Sequence, residues 1–158
     1  RIGPRKGRQN LSRLTSIAGL DCGLPKPGIP VGEEILFSGS WGDPTHMGEG
    51  YTVEVLTDGT ALVFWFSFGP DGKRRWYFGI GRVEGKILVF DELLTTVGGF
   101  FAENLVPENV DEVPWGSLVL DLECDGGTAT YVPTEAGFEP GMQNVLKLTN
   151  MPGLECAP

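Results

Sequence analysis

His46 stands between two carboxylates, Asp43 and Glu49, and is the only histidine of the chain. General-base chemistry needs partners that converge on the imidazole, and a metal needs a closed donor set. One His beside two acids in a turn-rich run supplies neither and reads as a surface loop. Glu49 and Glu54 form the other pair worth testing, because glycoside hydrolysis works between two carboxyl groups. Glu54, however, alternates with Val53 and Val55, which is the pattern of a strand position. No Ser-His-Asp order, nucleophile elbow or phosphate loop stands out. The expectation is a non-enzymatic chain without catalytic residues, metal ligands or cofactor.

The three cysteines, Cys22, Cys124 and Cys156, make an odd count, with no CxxC pair or Cys/His cluster that would suggest zinc. Cys22 and Cys156 end two copies of one short sequence. Residues 10–22 (Asn-Leu-Ser-Arg-Leu-Thr-Ser-Ile-Ala-Gly-Leu-Asp-Cys) recur at 144–156 (Asn-Val-Leu-Lys-Leu-Thr-Asn-Met-Pro-Gly-Leu-Glu-Cys). Six of the thirteen positions are identical, and Leu11/Val145, Arg13/Lys147, Ile17/Met151 and Asp21/Glu155 keep their chemical type. The offset of 134 residues is about one domain. The natural pairing is therefore Cys124 with Cys156, stapling the last strand into its own unit. Cys22 is left as a free thiol or as the partner of a neighbouring unit.

Aromatic side chains offer a third kind of chemistry, stacking against a ligand. Trp41, Tyr51, Trp65 and Trp76, with Phe64 and Tyr77, fall on four consecutive elements. They are core residues first, since large rings supply much of the buried area of a small barrel. A ligand-facing role for Trp41, Tyr51, Trp65 and Trp76 is the alternative.

The elements that must carry these residues are strands. Asp58-Gly59, Pro70-Asp71-Gly72, Glu84-Gly85 and Asp125-Gly126-Gly127 are tight-turn sequences. Each makes its flanking runs antiparallel neighbours. Strands are expected over 35–41, 51–57, 60–68, 74–83, 86–94, 117–124, 128–133 and 141–149, with 95–115 irregular. Period-two alternation puts Tyr51, Val53 and Val55 on one face, and likewise Leu118, Leu120, Leu122 and Cys124. The 60–68 run is apolar on both faces, so its outer side is expected to be covered. An all-β antiparallel meander of about eight strands closes most economically as an up-and-down barrel, with a two-sheet sandwich as the alternative. The barrel domain is assigned to 35–158, behind an N-terminal arm at 1–22 and a Pro/Gly linker at 23–34.

Charge separates arm from body. Of the 158 residues, 12 are basic and 21 acidic, for a net charge of −9. Arg1, Arg5, Lys6, Arg8 and Arg13 precede the first acid, Asp21, so a +5 stretch at the start of the arm adjoins a remainder of −14. An acidic body repels a phosphate backbone, which argues against nucleic acid as partner. No apolar run reaches the roughly 18 to 20 residues of a membrane-spanning helix. The chain opens at Arg1 rather than Met, consistent with an exported protein.

The run Ser38-Gly39-Ser40-Trp41-Gly42-Asp43-Pro44-Thr45-His46-Met47-Gly48-Glu49-Gly50-Tyr51, with Trp65, Asp71-Gly72, Trp76 and the closing Leu-x-Leu-Thr-x-x-x-Gly-Leu-x-Cys, is similar to an uncharacterised module of exported bacterial proteins. The resemblance covers about residues 36–156, and it implies export and an accessory or cell-surface role. Its opening Gly-x-Trp also resembles avidin-type and lipocalin-type barrels, which implies that Trp41 closes one barrel end.

Together these readings predict a secreted or surface module that associates with itself, or with a tandem neighbour, through the arm. Arg5, Lys6, Arg8, Leu11, Arg13, Leu14 and Ile17 would lie extended against another unit, as a strand or a docked segment, and could propagate a filament. A barrel that binds carbohydrate or a small apolar ligand is the alternative.

Overall fold

A computed structural model describes residues 11–21, 24–25 and 32–156. Its strands are β1 (Leu20–Asp21), β2 (Leu24–Pro25), β3 (Gly39–Gly42), β4 (Gly50–Val55), β5 (Thr60–Phe68), β6 (Arg74–Glu84), β7 (Ile87–Val97), β8 (Asp111–Leu122), β9 (Gly126–Pro133) and β10 (Gly141–Lys147). Strands β3 to β10 form a closed eight-stranded antiparallel barrel in sequence order. Closure is made by β10 against β3, with Leu146 opposite Gly42 and Lys147 opposite Trp41. That pairing decides for the barrel over the sandwich. Among the described residues the only helices are short 3-10 turns at Glu33–Phe37, Ala102–Asn104 and Pro107–Asn109.

Turn chemistry builds the meander. At the β4–β5 turn Asp58 Oδ1 accepts from the Thr60 amide at 3.0 Å and from the Thr60 hydroxyl at 2.7 Å, while Gly59 takes a φ of 86°. Alternation then sorts the side chains. Tyr51, Val53 and Val55 point inward with Ala61, Val63, Trp65, Tyr77, Leu88, Phe90, Leu118, Leu120, Leu122 and Val145, all buried. Gly81 lies where β6 presses on β7, and a Cβ there would stand 2.4 Å from the Val89 carbonyl oxygen.

The two barrel ends differ. One is closed by the Glu33–Phe37 turn, whose Ile35 and Phe37 are buried, and by Trp41, whose indole Nε1 donates to the Phe37 carbonyl at 2.8 Å. Leu154 and the Cys124–Cys156 disulfide, 32 residues apart in sequence, belong to this closed end. The opposite end, the mouth, carries the β3–β4, β5–β6, β7–β8 and β9–β10 connections.

Three expectations need correction. The strand expected at 35–41 begins only at Gly39, because Ile35 and Phe37 coil into the plug instead of pairing. The irregular 95–115 stretch shrinks to 98–110, since Thr95, Thr96 and Val97 extend β7 opposite Val113, Glu112 and Asp111. Ile17, expected against another unit, lies on its own barrel. Ile17 bridges to Leu56, the Ala18 amide donates to Val55 O at 2.8 Å, and the Thr57 amide donates to Ser16 O at 3.2 Å. The reason is packing. Ala18 is buried and Ile17 and Leu20 rest on the core, while β2 pairs back onto β1 so that the chain reverses. Arg5, Lys6, Arg8 and Cys22, with most of the 23–34 linker, lie outside the described residues.

Candidate functional site

Two features of the barrel surface could do work, and β5 and β6 position both of them. On the outside, these strands place apolar residues in register: Leu62 faces Ile80, Phe64 faces Phe78, and Phe66 faces Trp76. Leu94 of β7 extends the row opposite Phe78. The rings of Trp76 and Phe78 stack at 5.2 Å, and Phe64 lies 6.0 Å from Trp76. This face is open, with Phe66 50% and Ile80 66% exposed. A groove of about 800 Å³ runs over it, bounded by Leu14 and Thr15 of the arm and by Arg82, Asp91 and Glu92. Thr15 is moored by its hydroxyl to Glu54 Oε2 at 2.7 Å, yet Leu11 and Leu14 are 88% and 93% exposed. The outer side of the apolar 60–68 run is therefore uncovered in the single chain.

The second feature is the mouth. Inward rings near the ends of β4, β5, β6, β8 and β9 meet as an aromatic cluster. Trp65 stands 5.3 Å from Tyr51, 5.2 Å from Tyr77, 5.0 Å from Trp115 and 5.1 Å from Tyr131. Polar groups rim it. Glu49 accepts from Ser67 Oγ at 2.6 Å and from Gln143 Nε2 at 3.0 Å, and Gln143 Oε1 accepts from the Tyr51 hydroxyl at 2.8 Å. Burial raises the Tyr77 phenol to about 12 and the Tyr51 phenol higher still, so both stay protonated.

Part of the β9–β10 connection crosses over this cluster. Its Glu135 takes both guanidinium nitrogens of Arg75, at 2.8 and 2.7 Å. Its Phe138 packs edge-on to Trp115 at 5.5 Å, and Arg75 lies over the Phe138 ring. Thr134 and Glu135 both donate their amides to Trp115 O, which pins the start of the strap.

The sequence candidates thus part company. Tyr51 and Trp65 enter the mouth cluster, Trp41 packs at the closed end, and Trp76 lies on the outer face. Trp115, Tyr131, Gln143 and the Arg75–Glu135 pair were missed; only barrel closure brings them beside Trp65. Glu54 faces outward to Thr15 while Glu49 sits at the mouth, so the two carboxylates do not form a pair. His46 Nδ1 lies 2.7 Å from Asp43 Oδ2. Hydrogen bonds from Thr45, then the contact with His46, hold the Asp43 carboxyl down at about 2. Among the described residues no three His, Cys, Asp or Glu side chains form a group that could hold a metal. Nor is any helix there long and apolar enough to cross a membrane.

No family model matches this chain, and neither a curated protein nor a solved structure matches it.

Proposed function

We propose that this chain is a non-enzymatic, exported structural module that associates with further copies of itself, the arm of one molecule docking on the outer face of the next. The observation that carries the reading is the apolar face of β5–β7, with the unburied Leu14 at its edge. A contiguous apolar patch rimmed by polar groups is characteristic of a binding surface. Leu11 and Leu14 are apolar side chains of the same arm that stay almost fully exposed on their own barrel. Charge supports the same partner through one group: the arm is basic, and Glu92 borders the groove beside Asp91, which is paired with Arg82. The closed barrel has no free edge, so the arm lies on a face and does not add a strand. Donor and acceptor surfaces differ, so the contact is heterologous and can propagate into a surface assembly or filament. The Cys124–Cys156 bond fits an oxidising compartment.

The test is sedimentation of the full chain beside Ile80→Glu and a deletion of residues 1–14. Ile80 is exposed, so the charge disturbs the face and not the core. The full chain is expected to form concentration-dependent oligomers that weaken in high salt, and both variants are expected to remain folded monomers. A parent that stays monomeric at high concentration, or an Ile80→Glu variant that assembles like the parent, would overturn the proposal.

A further inference from the structure

The mouth contains a feature that packing alone does not account for. Trp65 Nε1, Tyr77 Oη and Trp115 Nε1 are buried and have no hydrogen-bond partner among the described residues. All three residues are at most 3% exposed. A buried donor left unpaired gives up its hydrogen bonds to water without replacement, and three such groups in one cluster are expensive for structure alone. They adjoin a rim whose groups retain bonding capacity. Each Glu49 oxygen uses one of its lone pairs, and Gln143 Nε2 uses one of its two hydrogens.

We infer that the barrel mouth, beneath the strap carrying Glu135 and Phe138, is a binding site for a neutral polyhydroxylated ring, of which a saccharide unit is the representative. The inference is independent of the assembly reading, because it uses the inside of the barrel and not its outer face. The chemistry selects the ligand class. Indole N–H groups only donate, so the ligand must offer acceptor oxygens. Glu49 only accepts, so the same ligand must also donate, and a hydroxyl does both. Aromatic rings supply apolar faces for the C–H side of a sugar ring. An anion would meet Glu49 and Glu135. A cation would compete with Arg75, whose guanidinium lies 5.6 Å from the Tyr77 ring centroid and 5.4 Å from that of Phe138. The strap lies over the site and is held there by the Arg75–Glu135 fork.

The experiment is a titration of intrinsic tryptophan fluorescence with maltotriose, cellotriose and chitotriose, with glucuronate as the anionic probe. It is run on the parent, Tyr77→Phe and Glu135→Ala, and thermal melting of each is recorded. The parent is expected to show a saturable change with at least one trisaccharide and none with glucuronate. Tyr77→Phe removes a hydroxyl that no described residue uses, so a merely structural role predicts unchanged binding. The inference instead predicts about tenfold weaker binding, with a melting temperature equal to or above that of the parent. Glu135→Ala, which frees the strap but leaves the aromatic cluster, is expected to keep the saturable change with the same trisaccharide, and its loss would count against a site built on the cluster. The inference falls if no trisaccharide gives a saturable change, if glucuronate binds in their place, or if Tyr77→Phe binds as tightly as the parent.

Discussion

Gly19 and Gly153, 134 residues apart, share one left-handed backbone conformation, with φ of 78° and 84°. Each stands before a leucine whose amide turns back three residues: Leu20 to Ile17 O at 3.3 Å and Leu154 to Met151 O at 2.9 Å. Pro152-Gly153 is the residue pair that a type II turn prefers, and Ala18-Gly19 fills the same two places in the other copy. Both turns press apolar side chains on the core, Ile17 and Leu20 from one copy, Met151 and Leu154 from the other. The duplicated sequence is therefore also a duplicated local structure.

A Cβ at positive φ costs about 1 kcal/mol or more, so Gly153→Ala should lower stability by about 1–2 kcal/mol. Gly19→Ala should leave the barrel nearly as stable while releasing the inner arm. Thermal melting, and proteolysis after Arg13, separate the two effects. Equal losses of barrel stability would mean that the arm turn is as integral as its counterpart.

Reducing the Cys124–Cys156 bond should destabilise the barrel by about 3–4 kcal/mol, the chain-entropy value for a loop of its length. Urea denaturation with and without reductant measures this. An unchanged midpoint would show that β10 and the residues after it are held without the bond.

Trp41→Phe should cost about 1–3 kcal/mol by leaving the buried Phe37 carbonyl without its indole donor. Trp65→Ala, which empties the centre of the aromatic cluster, should cost about 3–5 kcal/mol. Denaturant melts of the two variants check the ranking, and a Trp65→Ala variant as stable as the parent would contradict the packing described above.

Alkali should unfold the protein through its buried phenols. Burial lifts Tyr77 from its ordinary value near 10 to about 12. Between those values the unfolded chain loses a proton that the folded barrel keeps. Stability is therefore intact below pH 10 and falls as pH rises toward 12. Phenolate absorbance and circular dichroism should change together across that range, and Tyr77→Phe should flatten the fall. Ionisation of Tyr77 and Tyr51 near pH 10 with the fold intact would refute it.

The sequence by itself determined the hairpins and the faces. Asp58-Gly59 and Asp125-Gly126-Gly127 set which strands are neighbours, and alternation at Tyr51, Val53 and Val55 and at Leu118, Leu120 and Leu122 chose the buried side, because both signals act between adjacent residues. The repeat, a comparison along the chain that needs no folded neighbour, set Cys22 apart with the extra copy and left Cys124 to pair with Cys156. Tertiary structure decided what depends on distant partners. Ile35 and Phe37 lie in a run that reads as a strand, but burial over the barrel end coils them into a plug. Ile17 belongs to an arm expected to lie on another unit, yet a place beside Leu56 and the core draws it onto its own barrel. Trp65 and Trp115 are 50 residues apart and Arg75 and Glu135 are 60 apart. Nothing local links either pair. They meet only when β10 closes on β3, since ring closure fixes at once which strand ends share a mouth.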